Sequence, residues 1–424
     1  MCCVAGIKMV YPQKRNVLRC LWTRTARVLQ NEEPEMKISK LVSKIPGSAI
    51  LALTAKVNAL NSKGKDVIGF TIGEPDFDTP ENIKNAAIEA LHKGRTKYTP
   101  VGGTPELKDA ICANIRQDYD LSVTPDNVIV SCGAKHSLYN LLLSLFEEGD
   151  EVICVSPYWV SYPPMVEMTG ATPVIIDTRP NGMKLHADMV VQAITKRTRG
   201  IIINSPSNPT GMVFETKELE KIAELCVKHD IAIISDDIYR KLIFDGMNFF
   251  SMATVSREVA KRTFIIDGPS KTYSMTGWRI GYCVGDSNVI KAMARLQSQS
   301  TSNPTSFAQD GAVVSLTGDQ SLVEERRKIF ERRRDLVVEK LREIPGLDNI
   351  PPNGTFYSFP CIDGYIDRFK SSSAFCEYLL EKALVALVPG VEFGADNHVR
   401  ISFATSESNI AKGLDRIKEA LISL

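Results

Sequence analysis

The stretch GIIINSPSNPTGMVFETKELEKIAELCVKHDIAIISDDIY, residues 200–239, contains two strand-like runs separated by a helix-like run. The apolar runs GIIIN (200–204) and IAIIS (231–235) are continuous rather than alternating, which is typical of strands buried on both faces of a parallel sheet. The apolar residues between them follow the i, i+3, i+4, i+7 spacing of a helix with one buried face: Leu219, Ile222, Ala223 and Cys226. The stretch therefore predicts a strand–helix–strand unit.

The same alternation extends in both directions along the chain. Further strand-like runs are DVIGFTI (66–72), NVIVS (127–131), EVICVS (151–156), TPVIID (172–177), TFIID (263–267) and IGYCV (280–284). Because helix-length stretches separate them, the sequence predicts an α/β fold with a mostly parallel central sheet flanked by helices. After about residue 316 the pattern changes to a long charged helix. We interpret its segment EERRKIFERRRD (324–335) as a solvated face with Ile329 and Phe330 turned inward.

Composition restricts the class of protein. A chain of 424 residues allows two or three domains, and 44% hydrophobic with 24% charged residues is typical of a globular protein. The formal net charge of +1 gives no field that would attract nucleic acid or a membrane surface. No apolar run approaches the ~20 residues of a membrane helix. Ten cysteines without CxxC spacing and five unpaired histidines predict no metal site and no disulfide framework, so we expect an intracellular protein.

The first 36 residues form a basic leader in the sequence. They carry six basic residues before the first acidic residue, Glu32: Lys8, Lys14, Arg15, Arg19, Arg24 and Arg27. A basic amphipathic helix of this kind is how mitochondrial and other organelle transit peptides are built. The alternative is a disordered basic tail on a cytoplasmic protein.

Four predicted strands are followed directly by residues that can bind a ligand. In open α/β sheets, ligands bind beyond the carboxyl ends of the strands. CGAK follows residues 127–131 and opens a helix, where free backbone N–H groups hold an anion such as phosphate. Asn208, the pair Asp236 and Tyr239, and Lys271 follow three other strands. Each residue alone has an ordinary structural explanation. Together they describe a site for pyridoxal phosphate, whose aldehyde bonds to a lysine and whose pyridinium nitrogen pairs with a carboxylate.

From about Ile38 to the C-terminus the chain resembles class I aminotransferases of fold type I, within them the bacterial- and plant-type aspartate aminotransferase subgroup. The motifs that carry the resemblance occur in family order: GEPDFDTP, TKYTPVGG, GAK, SPYWVSYP, SPSNPTG, SDDIY, SKTYSMTGWRIGY and VRISFA. The resemblance implies a large cofactor-binding domain over residues 76–316 and a smaller α/β domain from residues 37–75 and 317–424. One departure is Pro269, where the family's lysine signature usually has an apolar or small residue other than proline.

The resemblance implies three catalytic residues. Lys271 is similar to the lysine that bonds the cofactor and, once released, moves a proton between substrate and cofactor. Asp236 would keep the pyridine nitrogen protonated, so that the ring accepts electrons. Tyr239, together with Asn208, would hydrogen-bond the cofactor's phenolic oxygen.

The resemblance also implies the remaining contacts to the cofactor. Phosphate and ring contacts are implied for Gly133, Ala134, Lys135, Trp159, Ser270 and Arg279. Trp159 would stack on the pyridine ring, and Arg279 would bind the phosphate through its planar guanidinium. Tyr98 resembles a residue that reaches the phosphate in a neighbouring subunit, which implies a homodimer.

Substrate contacts follow from the same resemblance. Arg400 would bind the α-carboxylate, helped by Asn208 and the backbone of Gly73, with Trp159 beside the substrate. Lys135 is associated with dicarboxylic substrates in this subgroup. A hydroxyl-bearing residue usual two positions after Ser48 is replaced by Ile50, which disfavours prephenate. The first expectation is transamination between L-aspartate and 2-oxoglutarate.

Three alternatives stay open at this stage. The enzyme could prefer alanine, aromatic or other neutral amino acids, or it could be a pyridoxal-phosphate-dependent lyase on the same fold. A third alternative is a non-catalytic binding module that has kept the fold, against which the intact Lys271, Asp236, Tyr239 and Arg400 argue.

Overall fold

The computed structural model describes residues 36–45, 47 and 49–424, without the side chains of residues 44 and 49–51. The predicted leader over residues 1–36 therefore lies outside the described residues, except for Met36. The chain divides into two units, residues 1–46 and residues 47–424. In the first unit, helix α1 (Lys40–Lys44) begins after Ser39, whose hydroxyl accepts a hydrogen bond from the Val42 amide.

The second unit alternates strands and helices along the chain. Its strands are β1 Ile68–Gly69, β2 Val128–Ser131, β3 Glu151–Ser156, β4 Thr172–Asp177, β5 Thr198–Asn204, β6 Ala232–Asp236, β7 Thr263–Asp267, β8 Gly281–Val284, β9 Tyr357–Ser358, β10 Val385–Ala386, β11 Val388–Pro389 and β12 Val399–Ser402. Its helices are α2 Ala49–Asn61, α3 Glu81–His92, α4 Pro105–Tyr119, α5 Ala134–Leu145, α6 Tyr162–Glu167, α7 Ala187–Ala193, α8 Thr216–Lys228, α9 Arg257–Ala260, α10 Pro269–Thr272, α11 Ser287–Ser298, α12 Ser306–Thr317, α13 Ser321–Arg342, α14 Asp363–Phe369, α15 Ser372–Lys382 and α16 Glu407–Ile422. Among the described helices, none has the length and apolar character needed to span a membrane.

The central sheet of the described residues has seven strands in the order β2-β8-β7-β6-β5-β3-β4. Neighbouring strands from β7 to β4 pair in parallel, whereas β8 is antiparallel to both β7 and β2. The prediction of a mostly parallel sheet flanked by helices is confirmed. The apolar runs of β2, β3, β5, β6, β7 and β8 are buried as expected, and so are the four residues that form the apolar face of α8. The prediction is wrong for β4, where Ile175 is 45% exposed, because β4 is an edge strand of the sheet.

One predicted strand lies outside this sheet. Of residues 66–72, only Ile68–Gly69 form a strand, β1, which pairs in parallel with β10 near the C-terminus. A separate antiparallel sheet has the order β11-β12-β9. Residues 68–69 thus pair with the C-terminal region. The domain boundaries at residues 75/76 and 316/317 stay predictions.

Helix α13 is less solvated than its sequence suggested. Phe330 is buried as expected and Ile329 only partly, but Arg333 and Arg334 are also buried. The reason is that each guanidinium meets a carboxylate: Arg333 binds both oxygens of Asp76 at 2.7 and 2.9 Å, and Arg334 binds Asp245. A bidentate pair of this kind compensates for the burial of the charge. The Arg333 pair also fastens the segment after β1 to the helix.

Candidate active site

The parallel strands of the central sheet end at a cavity of about 330 Å³. The sequence-predicted residues that line it are Gly73, Ala134, Lys135, Trp159, Asn208, Asp236, Tyr239, Ser270, Lys271, Arg279 and Arg400. They come from positions far apart in the chain because the carboxyl ends of parallel strands share one edge of the sheet. The volume suits a small-molecule site.

Lys271 enters the cavity from α10, directly after β7. Its Nζ donates a hydrogen bond to the carbonyl oxygen of Gly73, and burial lowers the pKa of the amine to about 8. An amine with this pKa is partly neutral near pH 7 and is therefore available as a nucleophile. Pro269 occupies the first turn of α10, where proline needs no N–H partner. The departure from the family's usual residue therefore leaves the lysine in place.

Asp236 is a buried carboxylate at the end of β6. It accepts a hydrogen bond from the Tyr162 hydroxyl at 2.5 Å and a longer one from the Ile238 amide, and burial raises its pKa to about 6. In the described part of the chain, no lysine or arginine forms an ion pair with it. A buried carboxylate is costly unless it meets a positive charge. The surroundings of Asp236 thus suit a ligand that brings its own protonated nitrogen.

The N-terminus of α5 provides an anion site. Gly133 caps this helix with a φ of +94°, and a Cβ at this position would lie 2.5 Å from the Arg279 Nη2 atom. Only glycine allows this close approach. The free amides of the first turn of α5 and the Arg279 guanidinium, whose Nη1 is held by the Thr276 carbonyl at 2.7 Å, together favour a phosphate.

Arg400 is 2% exposed and is held from three sides. Its Nη1 donates to the Asn208 side-chain oxygen and its Nη2 to the Thr71 carbonyl, both at 3.0 Å, and its guanidinium lies 4.4 Å from the centre of the Tyr357 ring. The Nε atom is buried with no hydrogen-bond partner in the described structure. Burial lowers the pKa of Arg400. A buried, incompletely satisfied guanidinium is suited to binding a carboxylate.

A second positive charge lines the same cavity. The Lys135 ammonium lies 4.7 Å from the centre of the Trp159 ring, a cation–π distance. Burial, and then the neighbouring Arg279, lower the pKa of Lys135. Besides Lys271 and Arg279, the cavity therefore contains two further cationic side chains, and each of them contacts an aromatic ring. Lys135 contacts Trp159, and Arg400 contacts Tyr357.

Three sequence-predicted residues do not line this cavity as described: Gly133, which caps α5 beside Arg279, Tyr98 and Ile50. Tyr98 is 92% exposed and does not line the cavity of its own chain. Ile50 lies in α2, but its side chain is outside the described residues, so its effect on specificity stays a prediction.

Sequence reasoning missed several lining residues, namely Leu138, Tyr162, Asn204, Ile238, Thr276 and Tyr357. Asn204 holds the site together, because its Nδ2 donates to the Asp236 carbonyl and its side-chain oxygen accepts from the Asn208 amide, both at 2.8 Å. Tyr162 follows Trp159 in SPYWVSYP, and this proximity was the one available signal for it.

A larger cavity of about 610 Å³ lies elsewhere in the second unit. Its arginine, Arg179, already hydrogen-bonds Asp177 and Asn397. Burial, and then Arg179, lower the pKa of its histidine, His398, to about 4, so this ring is uncharged at neutral pH. The lysine, the unpaired carboxylate and the anion site all lie in the smaller cavity, which we therefore take as the active site.

The smaller cavity fits pyridoxal phosphate on its own chemistry. It offers an amine of lowered pKa for the aldehyde, a buried carboxylate without a cation for the pyridinium nitrogen, and a helix N-terminus with an arginine for the phosphate. These groups lie on different elements and converge only in the folded chain. Fold and site together describe a pyridoxal-phosphate-dependent enzyme.

The family model for aminotransferase class I and II matches residues 65–417. The chain belongs to this family of pyridoxal-phosphate-dependent transaminases. It is 47% identical to the aspartate aminotransferase of Geobacillus stearothermophilus over 90% of this chain and 98% of that protein. It is 46% identical to a probable aspartate/prephenate aminotransferase of Aquifex aeolicus over 91% of this chain and 98% of that protein.

A solved structure gives the same result at the level of the fold. The chain is similar to the aspartate aminotransferase of Thermus thermophilus with maleate, with a TM-score of 0.87 and 43% identity, over 91% of this chain and 100% of that chain. The expected fold type and cofactor are thereby confirmed. The intracellular expectation is consistent with these prokaryotic relatives, whereas an organelle leader finds no support in them.

Proposed function

We propose that this protein transfers the amino group of L-aspartate to 2-oxoglutarate and forms oxaloacetate and L-glutamate. The observation that carries the proposal is the pair of cationic side chains in one cavity, Arg400 and Lys135. A dicarboxylic substrate presents two carboxylates, and each cation would bind one of them. Relatives named aspartate aminotransferase, one of them solved with the dicarboxylate maleate, support the same substrate class.

Different side chains of the protein have different roles in the proposed reaction. Bound pyridoxal phosphate supplies the electron-accepting ring. Arg400 orients the α-carboxylate, Asp236 retains the positive charge on the ring nitrogen, and Lys271 carries the proton to and from the substrate. The lowered pKa of Lys271 suits proton transfer near neutral pH, because a base is most effective when its pKa is close to the working pH.

Two other substrate classes compete with this pair. Relatives named aspartate/prephenate aminotransferase make the oxo acid prephenate a candidate amino-group acceptor, and Ile50 in place of a hydroxyl-bearing residue favours neutral amino acids as donors. Steady-state turnover with aspartate, glutamate, alanine and phenylalanine as donors, and with 2-oxoglutarate and prephenate as acceptors, tests the proposal. A kcat/KM for alanine or phenylalanine above that for aspartate would refute aspartate as the preferred donor.

Lys135→Ala is expected to reduce activity with acidic donors much more than activity with neutral donors. Because a charge-assisted bond contributes about 1.5–3 kcal/mol, we expect kcat/KM for aspartate and glutamate to fall about ten- to a hundredfold. We expect the values for alanine and phenylalanine to change little. The measurement is kcat/KM for the four donors at one pH.

Lys184→Ala is the matched control, because Lys184 is an exposed lysine paired with Glu215 at 3.0 Å. It should leave all four donors unchanged. Equal losses for acidic and neutral donors in Lys135→Ala would mean that Lys135 supports the phosphate turn alone. Ile50→Thr extends the test, since it is expected to shift the preference towards acidic donors.

We also propose that the protein acts as a homodimer in which Tyr98 completes the neighbouring site. The supporting observation is a tyrosine almost fully exposed on its own chain and absent from its own cavity. In a symmetric dimer such a residue can serve the partner's site. Tyr98→Ala is then expected to weaken cofactor binding about tenfold or more through loss of a hydrogen bond to phosphate.

Mixed dimers test this arrangement directly. Tyr98→Ala and Lys271→Ala are each expected to be impaired, and subunit exchange between them places both defects in one site and leaves the other intact. Random mixing should therefore restore about a quarter of the wild-type sites. A mixture no more active than its separate parents would show that Tyr98 does not serve a neighbouring site.

A further inference from the structure

We propose that Tyr357 is a positioning residue that links the arginine expected to bind the substrate carboxylate to the tyrosine expected to face the cofactor. Tyr357 lies on β9, and neither its sequence context nor the motifs of the chain pointed to a role for it. The inference rests on the proposed roles of Arg400 and Tyr239.

Three contacts place Tyr357 between these groups. Its hydroxyl lies 3.1 Å from the Tyr239 hydroxyl, and its ring centre lies 4.4 Å from the Arg400 guanidinium. A Cβ on Gly73 would lie 3.0 Å from the Tyr357 hydroxyl, so this oxygen also approaches the backbone that accepts the Lys271 hydrogen bond. Tyr357 is 1% exposed, and its strand pairs with the strand of Arg400.

The two phenols have only two protons to distribute. In the described structure the Tyr239 hydroxyl is the one hydrogen-bond partner of the Tyr357 hydroxyl. If Tyr357 donates to Tyr239, the proton of Tyr239 is left to donate to the cofactor's phenolic oxygen. The buried hydroxyl of Tyr357 would thus set the direction in which Tyr239 donates.

The ring of Tyr357, unlike its hydroxyl, contacts the Arg400 guanidinium. Arg400 is buried and its Nε has no partner, so the face of the ring supplies part of the attraction that water would otherwise provide. A second ring, Phe393, lies 5.0 Å from the same guanidinium. The hydroxyl and the ring of Tyr357 therefore have separable roles, one towards the cofactor and one towards the carboxylate.

Tyr357→Phe removes the hydroxyl and keeps the ring. In the enzyme loaded with pyridoxal phosphate, we expect the pH midpoint of the visible absorption band to rise by about half a unit or more, because the Tyr239 hydroxyl no longer accepts a hydrogen bond from Tyr357 and becomes a weaker, less oriented donor to the cofactor's phenolic oxygen. The dissociation constant of maleate should stay within about twofold of wild type, since the ring is retained. Tyr365→Phe is the matched control, because it removes a tyrosine hydroxyl that donates to the Pro345 carbonyl outside the cavity.

Tyr357→Leu removes the ring as well. We expect maleate to bind about three- to thirtyfold more weakly than to Tyr357→Phe, as the loss of a desolvated cation–π contact predicts. Phe393→Leu should weaken maleate binding without moving the absorption midpoint, because Phe393 contacts Arg400 and not the Tyr239 hydroxyl.

The absorption midpoint and the dissociation constant of maleate test separate parts of the inference. An absorption midpoint in Tyr357→Phe that matches Tyr365→Phe overturns the inference whatever the substrate is. Equal maleate affinity in Tyr357→Leu and Tyr357→Phe overturns the part that concerns the ring. Wild-type enzyme that binds no maleate would count against the dicarboxylate proposal, and the absorption measurement would still decide the role of the hydroxyl.

Discussion

Replacing Lys271 with alanine is expected to abolish the visible absorption of the enzyme-bound cofactor and to lower kcat by about a thousandfold or more. The amine is the group that would bond the cofactor and then transfer the substrate proton. Its location in α10, directly after β7, its contact with the Gly73 carbonyl and its lowered pKa all suit it to both tasks. Absorption spectra and steady-state rates with aspartate and 2-oxoglutarate measure the two effects.

Lys184→Ala is the control for the spectrum, because Lys184 is exposed, does not line the cavity and should leave the visible band in place. Borohydride reduction of the wild type followed by peptide mapping identifies the modified lysine. Attachment of the cofactor to any lysine other than Lys271 would refute the assignment.

Replacing Asp236 with asparagine is expected to lower kcat of the loaded enzyme about a hundred- to a thousandfold. The substitution keeps the shape and the hydrogen bond from Tyr162 but removes the charge opposite the ring nitrogen, and the loss of one preorganised electrostatic contact has effects of about this size. Asp236→Ala should be at least as impaired. Turnover above about a tenth of wild type in either variant would contradict the assigned role.

The same substitution should stabilise the protein without cofactor. The pKa of Asp236 in the folded chain, about 6, lies above the value of about 3.9 expected in the unfolded chain. The folded state therefore binds this proton more tightly, and the carboxylate lowers the free energy of unfolding as pH rises from about 4 to above 6, by about 3 kcal/mol in total. Asparagine has no such proton, so Asp236→Asn should be more stable than wild type at pH 8 and similar to it at pH 4.

Urea unfolding of the cofactor-free proteins at the two pH values measures this difference. Asp237→Asn is a matched control, because Asp237 is the adjacent buried carboxylate, its pKa is raised to about 7 by burial, and it does not line the cavity. It should show the pH-dependent gain in stability without the loss of turnover. A stability difference for Asp236→Asn that is independent of pH would contradict the burial argument.

Local sequence was sufficient for the main elements and for most of the proposed site. Continuous β-branched runs predicted the buried parallel strands, and polar residues directly after them, such as Asp236, Asn208 and Lys271, share a cavity because the strands end at one edge of a sheet. Both patterns depend on spacing along the chain. They can be read without knowing which elements pack together.

Tertiary structure alone decided the contacts between elements. The pairing of β1 with β10, the antiparallel pairing of β8 with β2 and the burial of Arg333 against Asp76 each join segments that are distant in sequence. Tyr162 and Tyr357 show the same limit within the site. A tyrosine has no spacing rule that reveals its partner, and these two hydroxyls acquire their roles only because packing brings them within 2.5 Å of the Asp236 carboxylate and 3.1 Å of the Tyr239 hydroxyl.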